Sequence, residues 1–380
     1  TALVLSGGGA RAAYQAGFLR GMAECLPGIE PFEILSGTSA GAINCAALAS
    51  HLHRGFPEAT RKLWDLWAGL RPHDIFRTGP FSLSGLAFKW LGKVLLGGSF
   101  GSRSVNYLLD TSPLRSFLQQ HCDFDQIEKD LASGRLKGLS FSATNYQTGT
   151  AVCFFSTPPE ADAPEWYRTD RIGIRTRHQL SHVMASSAIP IFFPPELIDG
   201  FFFGDGCVRQ TTPLSPPIHM GAERVLTIGV RALRPIETTI EMNQPRINDK
   251  VQLAEIGGTL LNAVFLDSVE KDAERLERIN RTLAMIPEEK RGSHPNELRM
   301  IPFLIFRPST DLGSLARDIS ILFPGAMRHL LRGIGAGKQN SSADLISYLA
   351  FDGRYTTRLL ELGKKDALAQ KDALHRFFHT

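Results

Sequence analysis

Ser39 stands at the centre of Gly37-Thr38-Ser39-Ala40-Gly41, a G-x-S-x-G spacing that can lift a hydroxyl out of a sheet to attack an ester carbonyl. Residues 32–35 before it suit a short buried strand, and residues 42–49 after it are small and apolar, suited to a packed helix. Glycine is needed on both sides, because the turn is strained and the helix must begin close to the strand. The same five residues also fit an ordinary Gly/Ser turn before a helix, so they do not decide the matter alone.

A second chemical element opens the chain. The apolar run 2–5 leads into Ser6-Gly7-Gly8-Gly9-Ala10-Arg11, and residues 12–24 read as a helix. Successive glycines at such a junction leave the N–H groups of Gly7, Gly8 and Gly9 bare, with the positive end of a helix dipole behind them. That nest suits an anion, either a phosphate or the oxyanion of a tetrahedral intermediate. A Walker loop is excluded, since Ala10 and Arg11 stand where Lys and Ser/Thr are required. Gly7, Gly9 and Ala12, with Glu33 further on, imitate a dinucleotide fingerprint, but that reading leaves Ser39 unexplained.

The third element is Asp205, set between Gly204 and Gly206 directly after the aromatic run Phe201-Phe202-Phe203. A free aspartate, with a pKa of roughly 3.9, is a poor base for a serine proton, and burial would improve it. An Asp-Gly pair by itself is also a common surface turn.

Taken in order, Gly7-Gly8-Gly9-Ala10-Arg11, Gly37-Thr38-Ser39-Ala40-Gly41 and Asp205-Gly206 resemble the patatin-like phospholipases. Ala143-Thr144-Asn145 with Thr148-Gly149, Ala185-Ser186-Ser187-Ala188-Ile189-Pro190, Phe193-Pro194-Pro195 and Leu276-Glu277-Arg278-Ile279-Asn280 are similar to stretches of that family too. The resemblance covers the first two-thirds of the chain best. It implies a three-layer α/β fold with a central, mostly parallel sheet flanked by helices. It implies a Ser39–Asp205 dyad without a catalytic histidine, an oxyanion hole from Gly7, Gly8 and Gly9, and acyl hydrolysis of lipids of the phospholipase A or lysophospholipase type. No metal or other cofactor is called for. Arg11 is a candidate to orient the loop or to hold a lipid phosphate, with a plain salt bridge as the alternative. An acyltransferase or thioesterase using the same dyad, and an inactive lipid-binding or scaffolding protein, are the other readings.

Two positions depart from the family pattern. Ala12 replaces the usual last glycine, which is tolerable if that backbone is already helical. Cys207 follows Asp205-Gly206 where Gly or Ala is usual, and would be costly if the position needs positive φ. Ser6, not His, precedes the glycines, which argues against the HGGG oxyanion motif of an α/β-hydrolase triad. His178 and His182 are the rival bases, spaced to share a helix face, and no neighbouring ligand completes a metal site with them.

With 380 residues, 43% hydrophobic and 21% charged, the chain can bury a sizeable core. A formal net charge of +4 is too mild to argue for nucleic acid and suits an anionic lipid surface. Cysteines 25, 45, 122, 153 and 207 show no C-x-x-C pairing, as expected of reduced thiols in a cytoplasm-like compartment, although export by a secretion system remains compatible. No apolar run is long enough to span a bilayer, so membrane contact would be peripheral. Residues 81–96, with Trp90, Lys89 and Lys93 on an apolar stripe, are the candidate interfacial helix or lid, with a core helix as the plain alternative; residues 97–102 behind them have the composition of a hinge.

Strands are expected over 2–5, 32–35, 139–144, 151–156, 201–203, 224–230 and 301–306. Helices are expected over 12–24, 42–49, 58–70, 113–121, 178–187 and 251–285, with a helical tail over 319–378 and a polar loop at 288–297. This predicts a catalytic α/β domain over 1–231 and a mainly helical C-terminal region, 232–380, packed on it.

Overall fold

Ala2, Leu3, Val4 and Leu5 are all buried, yet they serve two cores, because a strand sends successive side chains to opposite faces. Leu3 and Leu5 pack with helices of the first third of the chain and of its C-terminal end. Ala2 and Val4 face a second cluster containing Leu214, Met220, Ala273 and Leu276. A sheet covered in this way on both sides is the middle of three layers. The computed structural model describes residues 1–77, 107, 109–233, 236–244, 256, 259, 263, 267–287, 298–316 and 346–379. The expected interfacial stripe at 81–96, its hinge at 97–102 and the loop at 288–297 lie outside them.

β1 (Ala2–Leu5) leads through the glycine turn to α1 (Ala13–Cys25), and β2 (Ile34–Thr38) to α2 (Ala40–Ala49) and α3 (Phe56–Gly69). α4 (Ser112–His121) and α5 (Phe124–Ala132) precede β3 (Gly138–Asn145), which turns back into β4 (Ala151–Ser156). β5 (Trp166–Tyr167) and β6 (Arg171–Arg175) extend the edge, followed by α6 (Leu180–Ser186) and a hairpin of β7 (Glu196–Ile198) and β8 (Phe201–Asp205). β9 (Val225–Ile228), α7 (Asp267–Ala284), β10 (Phe303–Phe306), α8 (Gly353–Ala369) and α9 (Lys371–His379) follow. The sheet runs β10-β9-β1-β2-β3-β4-β6-β5, with β8 pairing β3 and β7 pairing β8. β10, β9, β1, β2 and β3 are mutually parallel, the core of the mostly parallel sheet expected from the sequence.

The C-terminal helices are built into this frame. A side chain at Gly17 would collide with the Leu360 carbonyl and one at Gly363 with the Tyr14 carbonyl, so α1 and α8 cross with their backbones in contact. Beside that crossing, the Tyr14 hydroxyl donates to Asp366 at 3.0 Å, and Asp366 also accepts from the N–H and hydroxyl of Ser309 at 2.9 and 2.6 Å.

Candidate active site

Strand register brings the three motifs together. Leu5 of β1 lies opposite Gly37 of β2, so the glycine turn after Leu5 and the Ser39 turn after Thr38 leave the sheet at the same end of adjacent strands. On the other side Thr38 pairs with Ser142 of β3, and one step on Ala143 pairs with Asp205 of β8. β8 therefore occupies the lane that β2 vacates where Ser39 turns out of the sheet. Three segments remote in sequence meet at the carboxyl ends of adjacent strands, where open α/β sheets place their sites.

The Ser39 hydroxyl donates to Oδ2 of Asp205 at 2.5 Å. Ser39 itself sits at φ 57°, ψ −128°, a left-handed conformation that a side chain adopts only under constraint. The constraint is visible on both sides. A Cβ at Gly41 would collide with the Leu5 carbonyl, so α2 starts directly against the end of β1. The Ser39 N–H donates to the Ser186 hydroxyl at 2.9 Å, and that hydroxyl donates onward to the Ser142 carbonyl at 2.6 Å.

Asp205 is fully buried and held at every polar atom. Its N–H donates to the Ala188 carbonyl (2.9 Å), its carbonyl accepts from the Thr144 hydroxyl (2.8 Å), and Oδ1 accepts from the Cys207 N–H (2.9 Å). Burial dominates its protonation and pushes the pKa up to about 7, against the opposing pull of the hydrogen bonds from Ser39 and Cys207. That places the carboxyl where a general base near neutral pH is useful.

The glycine loop is anchored from below and from the side. Gln15 donates from Nε2 to the carbonyls of Ser6 and Ile228 at 3.0 and 2.9 Å, and Asn44 bridges it to the Ala12 carbonyl and to the Trp67 indole. Arg11 is 2% exposed; its Nε donates to the Ser347 hydroxyl at 2.7 Å, and its guanidinium stacks 4.4 Å over the Tyr348 ring. These contacts tie Arg11, just past the glycines, to the segment at Ser347 and Tyr348. Gly9 adopts φ 54°, and a Cβ there would collide with the Tyr348 carbonyl. Gly9→Ala is expected to lose more than about 2 kcal/mol, the left-handed cost plus the collision. Gly28→Ala, at φ 76° in open space, should lose only the conformational part. Equal losses in urea unfolding would show that the Tyr348 contact is not tight.

Both departures from the family pattern fit locally. Ala12 has helical angles, φ −65° and ψ −12°. Cys207 lies in the short 3-10 turn Gly206–Val208 and is not among the residues with positive φ, so its side chain costs no backbone strain. Burial, reinforced by the neighbouring Asp205 carboxylate, raises the pKa of its thiol well above the ordinary range and keeps it protonated.

The histidines differ from expectation. α6 begins at Leu180, so His178 precedes the helix, although its ring still meets that of His182 edge to face at 5.9 Å. His178 Nε2 is bonded to the Leu139 carbonyl at 2.9 Å, and burial lowers its pKa to about 3; His182 Nδ1 accepts from the Gln179 N–H at 3.0 Å and is likewise held neutral by burial. Neither ring bonds Ser39 or Asp205. Glu33, the acid of the dinucleotide alternative, precedes β2 and pairs with Lys137 at 2.6 Å, at the opposite end of the strand from the glycine loop. Among the described residues no group of three or more His, Cys, Asp or Glu side chains is placed to hold a metal ion, and no helix is long and apolar enough to cross a membrane. Ser186, Thr144, Gln15, Asn44, Ser347 and Tyr348 were not assigned roles from the sequence. The stretches containing Thr144 and Ser186 carried a family signal; the others carried none.

The family model described as patatin-like phospholipase matches residues 3–218, and the chain belongs to that family. No curated protein matches the sequence. Among solved structures it is similar to human group IVD cytosolic phospholipase A2 in complex with methyl γ-linolenyl fluorophosphonate, at 12% identity and a TM-score of 0.44, over 100% of this chain and 58% of that one. It is also similar to VipD from Legionella pneumophila, at 12% identity and a TM-score of 0.30, over 95% of this chain and 66% of that one. A third similarity is to ExoU of the Pseudomonas aeruginosa type III secretion system in its heterodimeric complex with SpcU, at 16% identity and a TM-score of 0.25, over 99% and 76%. The chain thus spans little more than half the length of the phospholipase A2.

Proposed function

We propose that this protein hydrolyses fatty acyl esters of lipids, in the manner of a phospholipase A or lysophospholipase, through a Ser39–Asp205 dyad. The observation that carries the reading is the 2.5 Å hydrogen bond from the Ser39 hydroxyl to a buried carboxylate at the mouth of a glycine turn. As the serine oxygen attacks the acyl carbonyl carbon, Asp205 takes its proton. The N–H groups of the Gly7–Gly9 turn receive the oxyanion, each such donor being worth roughly 2.7–4 kcal/mol in other acyl-transfer sites. Collapse of the tetrahedral intermediate expels the lyso-lipid alkoxide, which takes the proton back from Asp205 and leaves an acyl-serine. Water then attacks the acyl-serine as Asp205 accepts its proton, and collapse of the second tetrahedral intermediate releases the fatty acid while the Ser39 oxygen takes that proton back from Asp205.

A fluorophosphonate reagent tests the nucleophile directly. Labelling of the intact protein that vanishes in Ser39→Ala supports the reading; an unlabelled intact protein favours the inactive lipid-binding or scaffolding alternative. Mass spectrometry of products from phospholipids, lysophospholipids and neutral glycerides then defines the substrate. Appearance of acylated alcohol or thiol acceptors in place of free fatty acid would make it a transferase.

A further inference from the structure

The hairpin that delivers Asp205 carries exposed apolar side chains on either side of its turn. β7 and β8 are joined by Asp199 and Gly200, both at positive φ (48° and 84°), the two-residue turn that Asp-Gly favours. Register pairs Leu197 with Phe202, Ile198 with Phe201 and Glu196 with Phe203. Alternation sends Ile198 and Phe203 inward, where they pack with Ala143, Val152 and Phe154, and leaves Leu197 and Phe202 on the other face. Leu197 is 57% exposed, and Phe201 and Phe202 are each 46% exposed. Tyr146 continues this face: its N–H donates to the Phe202 carbonyl at 2.9 Å and its half-exposed ring covers Gly204, the residue before Asp205. Scattered exposed apolar residues are ordinary, but two phenylalanines and a leucine on one hairpin, with a tyrosine on the strand end beside it, mark a contact surface.

Location, charge and side-chain type select its occupant. The hairpin leaves the sheet at the carboxyl end of β3, where Ser39 turns out, and Phe202 is about 10 Å along the strand from Asp205. Glu196 of β7 is neutralised by Arg115 at 2.6 Å, the turn residue Asp199 is exposed and acidic, and Arg209, four residues past Asp205, is exposed and basic with no carboxylate partner among the described residues. Phenylalanine and leucine at a tip with tyrosine at its base suit acyl chains below and head groups above. We propose that the β7–β8 tip, comprising Leu197, Phe201 and Phe202 with Tyr146 at its base, is the surface by which this protein docks on a phospholipid bilayer. Docking there would hold the mouth of the dyad at the interface. This rests on the lipid-hydrolase reading, and its test reads binding rather than turnover.

Co-sedimentation of Ser39→Ala protein with vesicles of phosphatidylcholine, alone and mixed with phosphatidylserine, measures the partition. Adding Leu197→Ser and Phe202→Ser should lower it by about tenfold or more, since two apolar side chains lose their burial in lipid. As a second measurement, the tryptophan emission introduced by Phe202→Trp in the same background should be quenched by phospholipids brominated on their acyl chains. If the double variant fails to fold by circular dichroism, this quenching alone decides. An unchanged partition, no binding of the unsubstituted protein to either vesicle, or an emission that Phe202→Trp adds and the brominated lipids leave unquenched overturns the proposal. So does a concentration-dependent dimer that the double variant abolishes, which would make the tip a contact between copies of this chain. Failure of fluorophosphonate labelling would remove the hydrolase reading while leaving these binding results to stand.

Discussion

Asp205→Asn is expected to lower turnover by at least about a thousandfold and, above neutral pH, to make the fold more stable. The two effects have one cause. The carboxyl titrates near 3.8 when free and near 7 in the folded protein, chiefly because burial disfavours its charge. Below about pH 4 it is protonated in both states and costs nothing. Between about 4 and 7 the unfolded chain releases the proton while the folded protein keeps it, so stability falls as pH rises. Above 7 the loss is complete, about 4 kcal/mol for a shift of this size. Asparagine cannot ionise, so the stability gap between variant and parent should open from about pH 4 and level off beyond 7. The parent's kcat/KM should rise with pH through the same window, because only the ionised carboxylate accepts the serine proton. Urea unfolding near pH 5 and near pH 8, together with a pH–rate profile, checks both halves. Near-normal turnover in the variant would exclude Asp205 as the base. A stability gap that does not change with pH would show that its carboxyl is not held near 7.

The elements that position Ser39 and Asp205 were legible because each is a short apolar run with a glycine within two residues of its end. β1 matches the run 2–5 and β4 the run 151–156 at both ends. β2 begins at Ile34 and runs on through Thr38, because Gly37 still pairs with Leu5 and Phe141 in the ladder. The strands that were not foreseen lie where local pattern is weak. β6 is Arg-Ile-Gly-Ile-Arg, paired on one side by only the two residues of β5, so it reads as polar loop. β7 has three residues and follows two prolines. α5 has a sound start, with Asp123 accepting from the Gln126 N–H at 2.9 Å, but its charged composition masks a narrow apolar stripe. The single helix expected to carry both His178 and His182, whose rings do meet, failed for the opposite reason. Its spacing is helical, while His178 is drawn to the Leu139 carbonyl before the helix begins. Arg11 to Ser347 spans most of the chain, and no local pattern can announce such a contact.

Ser39 offers the other large effect, since its replacement separates chemistry from strain. Ser39→Ala and Ser39→Gly should both abolish turnover, because neither carries the oxygen that becomes the acyl-serine. They should differ in stability. At φ 57° and ψ −128° a β-carbon is held in a conformation costing about 1–3 kcal/mol, and alanine retains that cost. Glycine relieves it, at the expense of about 0.4–1 kcal/mol of extra freedom in the unfolded chain. The glycine variant should therefore be the more stable by about 1 kcal/mol. Both variants also remove the hydroxyl that donates to Asp205, one of the bonds holding its pKa down, so the carboxyl should titrate higher than in the parent. Unfolding of the two proteins in urea, with infrared titration of the Asp205 carboxyl, reads both quantities. A glycine variant no more stable than the alanine one would mean that Ser39 sits in its turn without strain. The constraint drawn from Gly41 against Leu5, and from Ser186 under the Ser39 amide, would then be packing alone.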